Sequence, residues 1–253
     1  MPQVQAVRSI QHAQYSWLPF SNYQFAAASA YAPLVVQEFL PAGAVAPIAF
    51  TLNAQEYSPV LLMGVQPGTN LLVSGEGRWL GQYVPAFYRS HPFCMAKDQD
   101  GKTLLSVHGD SEYVLDHYVP GSHAKPFFSG TELSEDLQVV RKFLQQVEAG
   151  RQVTRSFCAA CAEHELFVSW EPPINAGKQV LNIKGLYRID ETKLKALSAD
   201  KAKLLLETGA MGAIYYHLSS LQHTQTLMNL KLRRDAQPEA SAAMPSIFTQ
   251  DTS

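Results

Sequence analysis

Three groups of residues have types and spacings that chemistry uses. Cys158-Ala-Ala-Cys161-Ala-Glu-His164 sets two thiols at a CxxC spacing with an imidazole three residues on. Thiolates so placed grip a soft metal or shuttle a disulfide. The second CxxC or His pair that would complete four-coordinate zinc is missing from the sequence, and no strand leads into the motif in thioredoxin fashion. Two cysteines at i and i+3 also share one helical face as small apolar groups, so packing is preferred and neither metal nor cofactor is expected. The second group is His108 and Asp110, with Asp116 and His117 nearby. An imidazole and a carboxylate within hydrogen-bond reach make a general acid/base pair, although turns use the same residues for their polarity alone.

The third group is the aromatic segment from Gly77 to Phe93, which holds Arg78, Trp79, Tyr83, Tyr88, Arg89 and His91. A ligand site there would take a planar, sugar-like or anionic molecule. Arg89 would anchor the anionic group, because a guanidinium offers a planar fork of donors and keeps its charge, and Trp79 or Tyr88 would be the stacking surface. The structural alternative makes Trp79, Tyr83, Phe87 and Phe93 core residues and pairs Arg89 with Glu38 or Glu56. Gly75-Glu-Gly77 lacks the third glycine of a phosphate cradle, and Ser219-Ser220 falls within a helical pattern, not on a nucleophile elbow.

The elements that must position these groups follow from patterning. Short apolar segments around Pro47–Leu52, Val60–Val65, Asn70–Ser74 and Trp79–Pro85, punctuated by Pro, Gly and Asn, read as a β meander. Asp100-Gly101 between two apolar runs reads as a hairpin turn. From Leu133 to Val147 apolar residues recur every three or four positions, which predicts a helix over about Ser134–Ala149 stopped by Gly150. A second helix is expected over Thr154–His164, strands at Leu166–Trp170 and Val180–Arg188, and further helices from Asp190 to about Leu232. The fold class is therefore α+β: a β-rich N-terminal half of meander and hairpins with a mainly helical C-terminal half, in one compact domain over residues 1–234. Residues 235–253, rich in Ala, Ser, Pro, Gln and Thr, read as a disordered tail.

The chain has 253 residues, with 20 Lys+Arg against 22 Asp+Glu and a net charge of -2. Near-neutrality excludes nucleic-acid binding through a basic stripe and a polybasic membrane anchor. The apolar stretch from Phe25 to Leu52 is broken by Pro33, Glu38, Pro41, Gly43 and Pro47, so no integral membrane segment is expected. No secretory leader is legible at the amino terminus, and the odd number of cysteines, three, suits reduced thiols in a bacterial-type cytoplasm.

An ordered series of short segments resembles the SapC family of bacteria. It runs Val35-Val-Gln-Glu-Phe39, Pro47-Ile-Ala-Phe50, Leu61-Leu-Met-Gly64 with Asn70-Leu71, Trp79 with Tyr83-Val-Pro85, Arg89 with Pro92-Phe93, Gly185-Leu-Tyr-Arg-Ile-Asp190 and His217-Leu-Ser-Ser-Leu221. The match spans about Tyr15 to Leu230, and the CxxC is no part of it. The resemblance implies an association with surface-layer proteins and a neighbourhood of outer-membrane receptor and flavin-dependent halogenase-like genes; it brings no catalytic residues. The expected function is thus a non-enzymatic cytoplasmic accessory or binding protein with a protein or peptide partner in a surface-layer or outer-membrane pathway. The alternative is an enzyme acting on a peptide or glycan.

Overall fold

The structure is a computed structural model that describes residues 4–171, 174–176, 179–181 and 184–236. Along the chain, β1 (Val4–Ala6), α1 (Ser9–His12), β2 (Ser16–Trp17) and β3 (Tyr31–Pro33) precede α2 (Phe39–Gly43), β4 (Ile48–Asn53) and β5 (Glu56–Leu62). Then come α3 (Ala86–Arg89), β6 (Phe93–Lys97), β7 (Thr103–His108) and four short strands, β8 (Val114–Leu115), β9 (Lys125–Pro126), β10 (Phe128–Ser129) and β11 (Glu132–Leu133). The remainder is α4 (Glu135–Glu163), β12 (Phe167–Trp170), β13 (Ile174–Ala176), β14 (Gln179–Leu181), β15 (Leu186–Ile189), α5 (Glu191–Lys195), α6 (Ala199–Glu207), α7 (Ala210–Ser220) and α8 (Thr224–Ala236). This is one compact α+β domain, with strands concentrated in the front half and helices in the back. The tail expected from residue 235 lies outside the described residues except for Asp235 and Ala236, which close α8.

Strands of both halves build the main sheet, antiparallel throughout in the order β12-β15-β4-β5-β3. Side chains alternate across it with period two. Ile48, Phe50, Leu61, Phe167 and Ile189 enter one core, shared with α2, α4 and α7, while Ala49, Val60, Leu62 and Leu186 enter another, closed by Leu227 and Met228 of α8. The meander expected from Pro47 to Pro85 is confined to β4 and β5. Beyond them a single bridge pairs Val73 with Trp79, and the path through Gly77, at positive φ, is irregular. The β6–β7 hairpin turns at Gly101, whose φ of 79° suits the residue. With β1 on its outer edge, it packs through Phe93, Leu105 and Val107 on a third core that also takes Trp17, Phe127, Leu137 and Leu144.

α4 joins these cores. The sequence predicts two helices broken at Gly150, but one helix runs 29 residues through it. Gly150 is there for close approach: a Cβ would lie 3.3 Å from the Val35 side chain and 3.0 Å from Gln37 Oε1. One turn later the Thr154 hydroxyl donates to the Gly150 carbonyl (2.8 Å) and accepts the Val36 N–H (2.9 Å), bonding the front segment to the helix. Ser134 caps the helix by accepting the Leu137 N–H. Its early apolar residues, Leu137 and Leu144, enter the hairpin core, and Phe157, Cys158 and Cys161 enter the main core.

α7 is pinned to the sheet by buried polar groups. His217 Nδ1 donates to the Ile48 carbonyl at 2.9 Å and Nε2 accepts the Ile189 N–H at 3.1 Å, so a neutral imidazole joins β4 to β15. The Ser220 hydroxyl accepts the Ile48 N–H and donates to the His217 carbonyl. Burial holds the His217 pKa down at about 3. An unfolded histidine titrates near 6.5, so between about 6.5 and 3 the unfolded chain binds the extra proton and the folded chain loses stability as pH falls. We expect His217 to remove up to about 1.4 kcal/mol of stability per pH unit in that window. Urea unfolding at about pH 7.5, 6 and 5 checks it, and stability unchanged across the series would contradict the neutral pin.

Candidate functional site

The geometry of the site begins at Glu38, a buried carboxylate in the charge-poor front half. Leaving it unpaired would be costly, and three donors converge on it. Oε2 accepts the Val35 N–H at 2.9 Å, while Oε1 accepts the Tyr83 hydroxyl and the Ala86 N–H, each at 2.7 Å. The first bond closes the turn that Glu38 itself ends; the other two seize the aromatic segment 45 and 48 residues away. α3 has only four residues and cannot hold itself together as an isolated helix, so these bonds set where it lies. Trp79 Nε1 donates to the Tyr83 carbonyl at 2.8 Å, tightening the same loop. Burial, then the bond to Glu38, pushes the Tyr83 phenol far above its ordinary range, so Tyr83 remains a donor.

α3 forms one wall of a cleft of about 480 Å³ whose other walls are α4, β6 and the loop after β7. Apolar rings and aliphatic groups floor it: Phe25, Tyr88, Phe93, Leu144 and Val147. His91 stacks on Phe25 with centroids 4.0 Å apart and planes 11° off parallel, its Nε2 is 3.1 Å from the Ser111 hydroxyl, and His108 lies beyond it at 6.3 Å. Burial, and secondarily His108, lowers the His91 pKa to about 4, which leaves its ring neutral at physiological pH. Tyr88 is 3% exposed, and its hydroxyl has no hydrogen-bond partner. The side chain of Ser29, which also lines the cleft, lies near enough to oppose the upward push of burial on the phenol, but outside hydrogen-bonding geometry. Cys94 lines the cleft too, its thiol pushed up by burial with Arg151 opposing.

The sequence-derived candidates separate. Tyr88 and His91 line the cleft, as do His108 and Asp110 of the second group. Arg78 points to solvent and pairs with Glu76 at 3.0 Å. Trp79 and Tyr83 pack against the main core, outside the cleft lining. Arg89 is exposed: its Nη2 donates to the Tyr83 hydroxyl at 3.4 Å, and its guanidinium lies 4.9 Å from the centre of the Phe143 ring. Tyr83 and Ala86 take the place at Glu38 that the structural alternative reserved for Arg89. Asp116 and His117 pair with each other at the surface, 2.8 Å apart. Cys158 and Cys161 are buried among apolar side chains, and burial raises both thiols well above their ordinary range. Among the described residues no cluster of three or more His, Cys, Asp or Glu has metal-binding geometry. Sequence reasoning missed Phe25, Ser29 and the α4 wall with Glu148 and Arg151. The i, i+3 spacing of that pair was the one available signal, and helical pairing of that kind is common enough to carry no site information.

The segments that carry the family resemblance are those that make this framework: Glu38 and Tyr83, strands β4 and β5, and His217 with Ser220. The family model for SapC matches residues 7–227. The chain belongs to the SapC family. No curated protein and no solved structure matches this SapC chain. In SapC terms the matched region therefore contains the whole cleft, from Phe25 to Arg151. Replacing Glu38 tests the framework. In Glu38→Gln an amide turns N–H toward at least one donor, and we expect about 2–4 kcal/mol lower stability, against about 1 kcal/mol for Tyr83→Phe, which loses the bond to Glu38 and a long, exposed one from Arg89. Urea unfolding of both variants gives the ordering; equal and negligible effects would contradict the role of Glu38 as the common acceptor.

Proposed function

We propose that this SapC chain is a non-enzymatic binding protein, a cytoplasmic accessory to the handling of surface-layer or outer-membrane proteins, that holds a small or peptide ligand in the cleft between α3 and α4. The observation that carries the reading is the cleft itself, about 480 Å³ and lined by Phe25, Tyr88, Phe93, Leu144 and Val147 with a few polar groups among them. Small-molecule sites have this form, mostly apolar with few convergent polar groups, in volumes of about 300–1,000 Å³. Three unpaired thiols fit a reducing compartment, and among the described residues no helix is long and apolar enough to cross a membrane.

The second reading, an enzyme acting on a peptide or glycan, draws on His91, His108 and Asp110 sharing the cleft. Binding is favoured over it on chemical grounds. An imidazole held near 4 is a weak base at neutral pH, and the Cys94 thiol, raised by burial, is a poor nucleophile.

Native mass spectrometry of the protein purified from its own host tests the proposal. We expect wild type to retain a non-covalent small molecule or a peptide, and Val147→Trp, which fills the cleft from α4, to lose it while unfolding at the same temperature. Identical occupancy of both proteins would refute the cleft as the site, and release of a chemically altered product would favour the enzyme.

A further inference from the structure

The cleft follows the open edge of a strand. In the sheet of order β1-β7-β6, β6 has a neighbour on one side only. Side chains of successive strand residues point to opposite faces, yet Phe93, Cys94 and Met95 all line the cleft. A cavity reached from both faces runs along the strand's edge, and β7 occupies the inner one. Across from that edge stand Leu144 and Val147 of α4. The phase of the ladder says which backbone groups face outward. The Leu105 carbonyl accepts the Val7 N–H, on the β1 side, at 2.9 Å, and the His108 N–H donates to the Pro92 carbonyl at 3.0 Å. Bonding alternates along an antiparallel pair. Met95, opposite Leu105, therefore turns its N–H and carbonyl away from β7, as Phe93 turns its carbonyl and Lys97 its N–H. No other described backbone group bonds these four, whereas the Phe93 N–H already donates to the Ser90 carbonyl at 2.7 Å.

We infer that an extended peptide binds in the cleft as a fourth strand beside β6, parallel to it, with a basic residue at its N-terminal end. The inference rests on the binding reading above and names the ligand's class and its mode of binding. In strand addition the main-chain bonds supply affinity and the side chains selectivity. Two alternate residues of a parallel peptide would use all four free groups and leave the Phe93 N–H with Ser90. An antiparallel peptide would bring a carbonyl opposite Phe93 with no donor to meet it. Apolar side chains of the peptide would lie against Leu144 and Val147. Its N-terminal end would lie near Asp110 and Glu112, which line the cleft beyond His108, the residue bonded to Pro92 at the start of β6. The lining guanidinium, Arg151, is engaged by Glu148 at 3.0 Å, so that end is acidic and matches a basic residue.

The probes are four peptides of the form acetyl-Lys-Xaa-Thr-Xaa-Thr amide, with valine, isoleucine, leucine or phenylalanine as Xaa, added to the full-length protein. Amide chemical shifts give affinity, and hydrogen exchange gives the backbone bonds formed. We expect at least one peptide to bind more tightly than about 1 mM and to slow exchange of the Met95 and Lys97 amides at least about tenfold. The Ala96 amide, which faces β7, should change little. N-methylation of every second peptide residue should weaken binding about tenfold in one phase and less than about twofold in the other. Glutamate in place of the peptide's lysine should weaken it at least about fivefold. Binding should be lost in Val147→Trp. Binding at the cleft with equal loss in both N-methyl phases, or with the Met95 and Lys97 amides unprotected, overturns strand addition and leaves the cleft standing as a site. A glutamate peptide that binds equally well overturns the assigned polarity, and binding unchanged in Val147→Trp overturns the placement. If none of the four peptides binds, the ligand class is overturned, and the molecule retained by the natively purified protein still decides the cleft itself.

Discussion

The site depends on one buried carboxylate. Glu38 sits among apolar side chains where an unpaired carboxylate would be costly, and the fold satisfies it with donors from two distant stretches of chain. The consequence is positional. A four-residue helix with no stability of its own is set at a fixed place, and through it Tyr88 and His91 reach the cleft. Tyr83 belongs to the same constraint, because its phenol is spent on Glu38 and packed on the main core. The aromatic segment thus divides in function: Trp79 and Tyr83 hold it, Tyr88 and His91 face outward from it into the cleft, and Arg89 covers the Tyr83 hydroxyl from the solvent side.

A second set of polar bonds gives that arrangement something rigid to be built on. Thr154 joins the segment leading to Glu38 to the middle of α4, at the point where Gly150 lets the two approach. His217 and Ser220 join α7 to β4 and β15, so the back half of the chain completes the sheet begun in the front. Arg234 reaches from α8 to the carbonyls of Asn70 and Val73, fastening the irregular stretch that replaces the third meander strand. Cores hold the elements together without direction; these few directional bonds choose which of many apolar contacts is made.

What the sequence made legible was local. Strands β4 and β5, the hairpin at Asp100-Gly101, the long apolar stripe of α4 and the packing of Cys158 with Cys161 follow from periodicity, turn chemistry and composition within a few residues. What it hid was non-local. Gly150 carries the same signal whether it ends a helix or admits a neighbour, and the neighbour here bonds across 118 residues. β15 beside β4 is a pairing between halves that no window contains. Arg89 and Glu38 looked complementary because charge is visible in a sequence, whereas the backbone N–H of Ala86, which is the actual partner, looks like every other. The cleft followed the same rule: Tyr88 and His91 were named from the unusual aromatic segment, but the opposite wall comes from a helix whose apolar stripe drew the attention away from Glu148 and Arg151.

Amide hydrogen exchange, residue by residue, on wild type and on Glu38→Ala, which removes both carboxylate oxygens, is the most direct measurement of the claim that Glu38 positions the cleft. The amides of Ala86, Tyr88, Arg89 and His91 are each hydrogen-bonded in the structure, as are those of Ile48 and Ile189 at the His217 pin. The expected result is a selective loss of protection over residues 86–91, at least about tenfold greater than at Ile48 and Ile189, because local opening of that segment no longer breaks the bonds to Glu38. A loss spread evenly over both groups, or none at residues 86–91, would contradict the account and leave Glu38 as one buried polar contact among many.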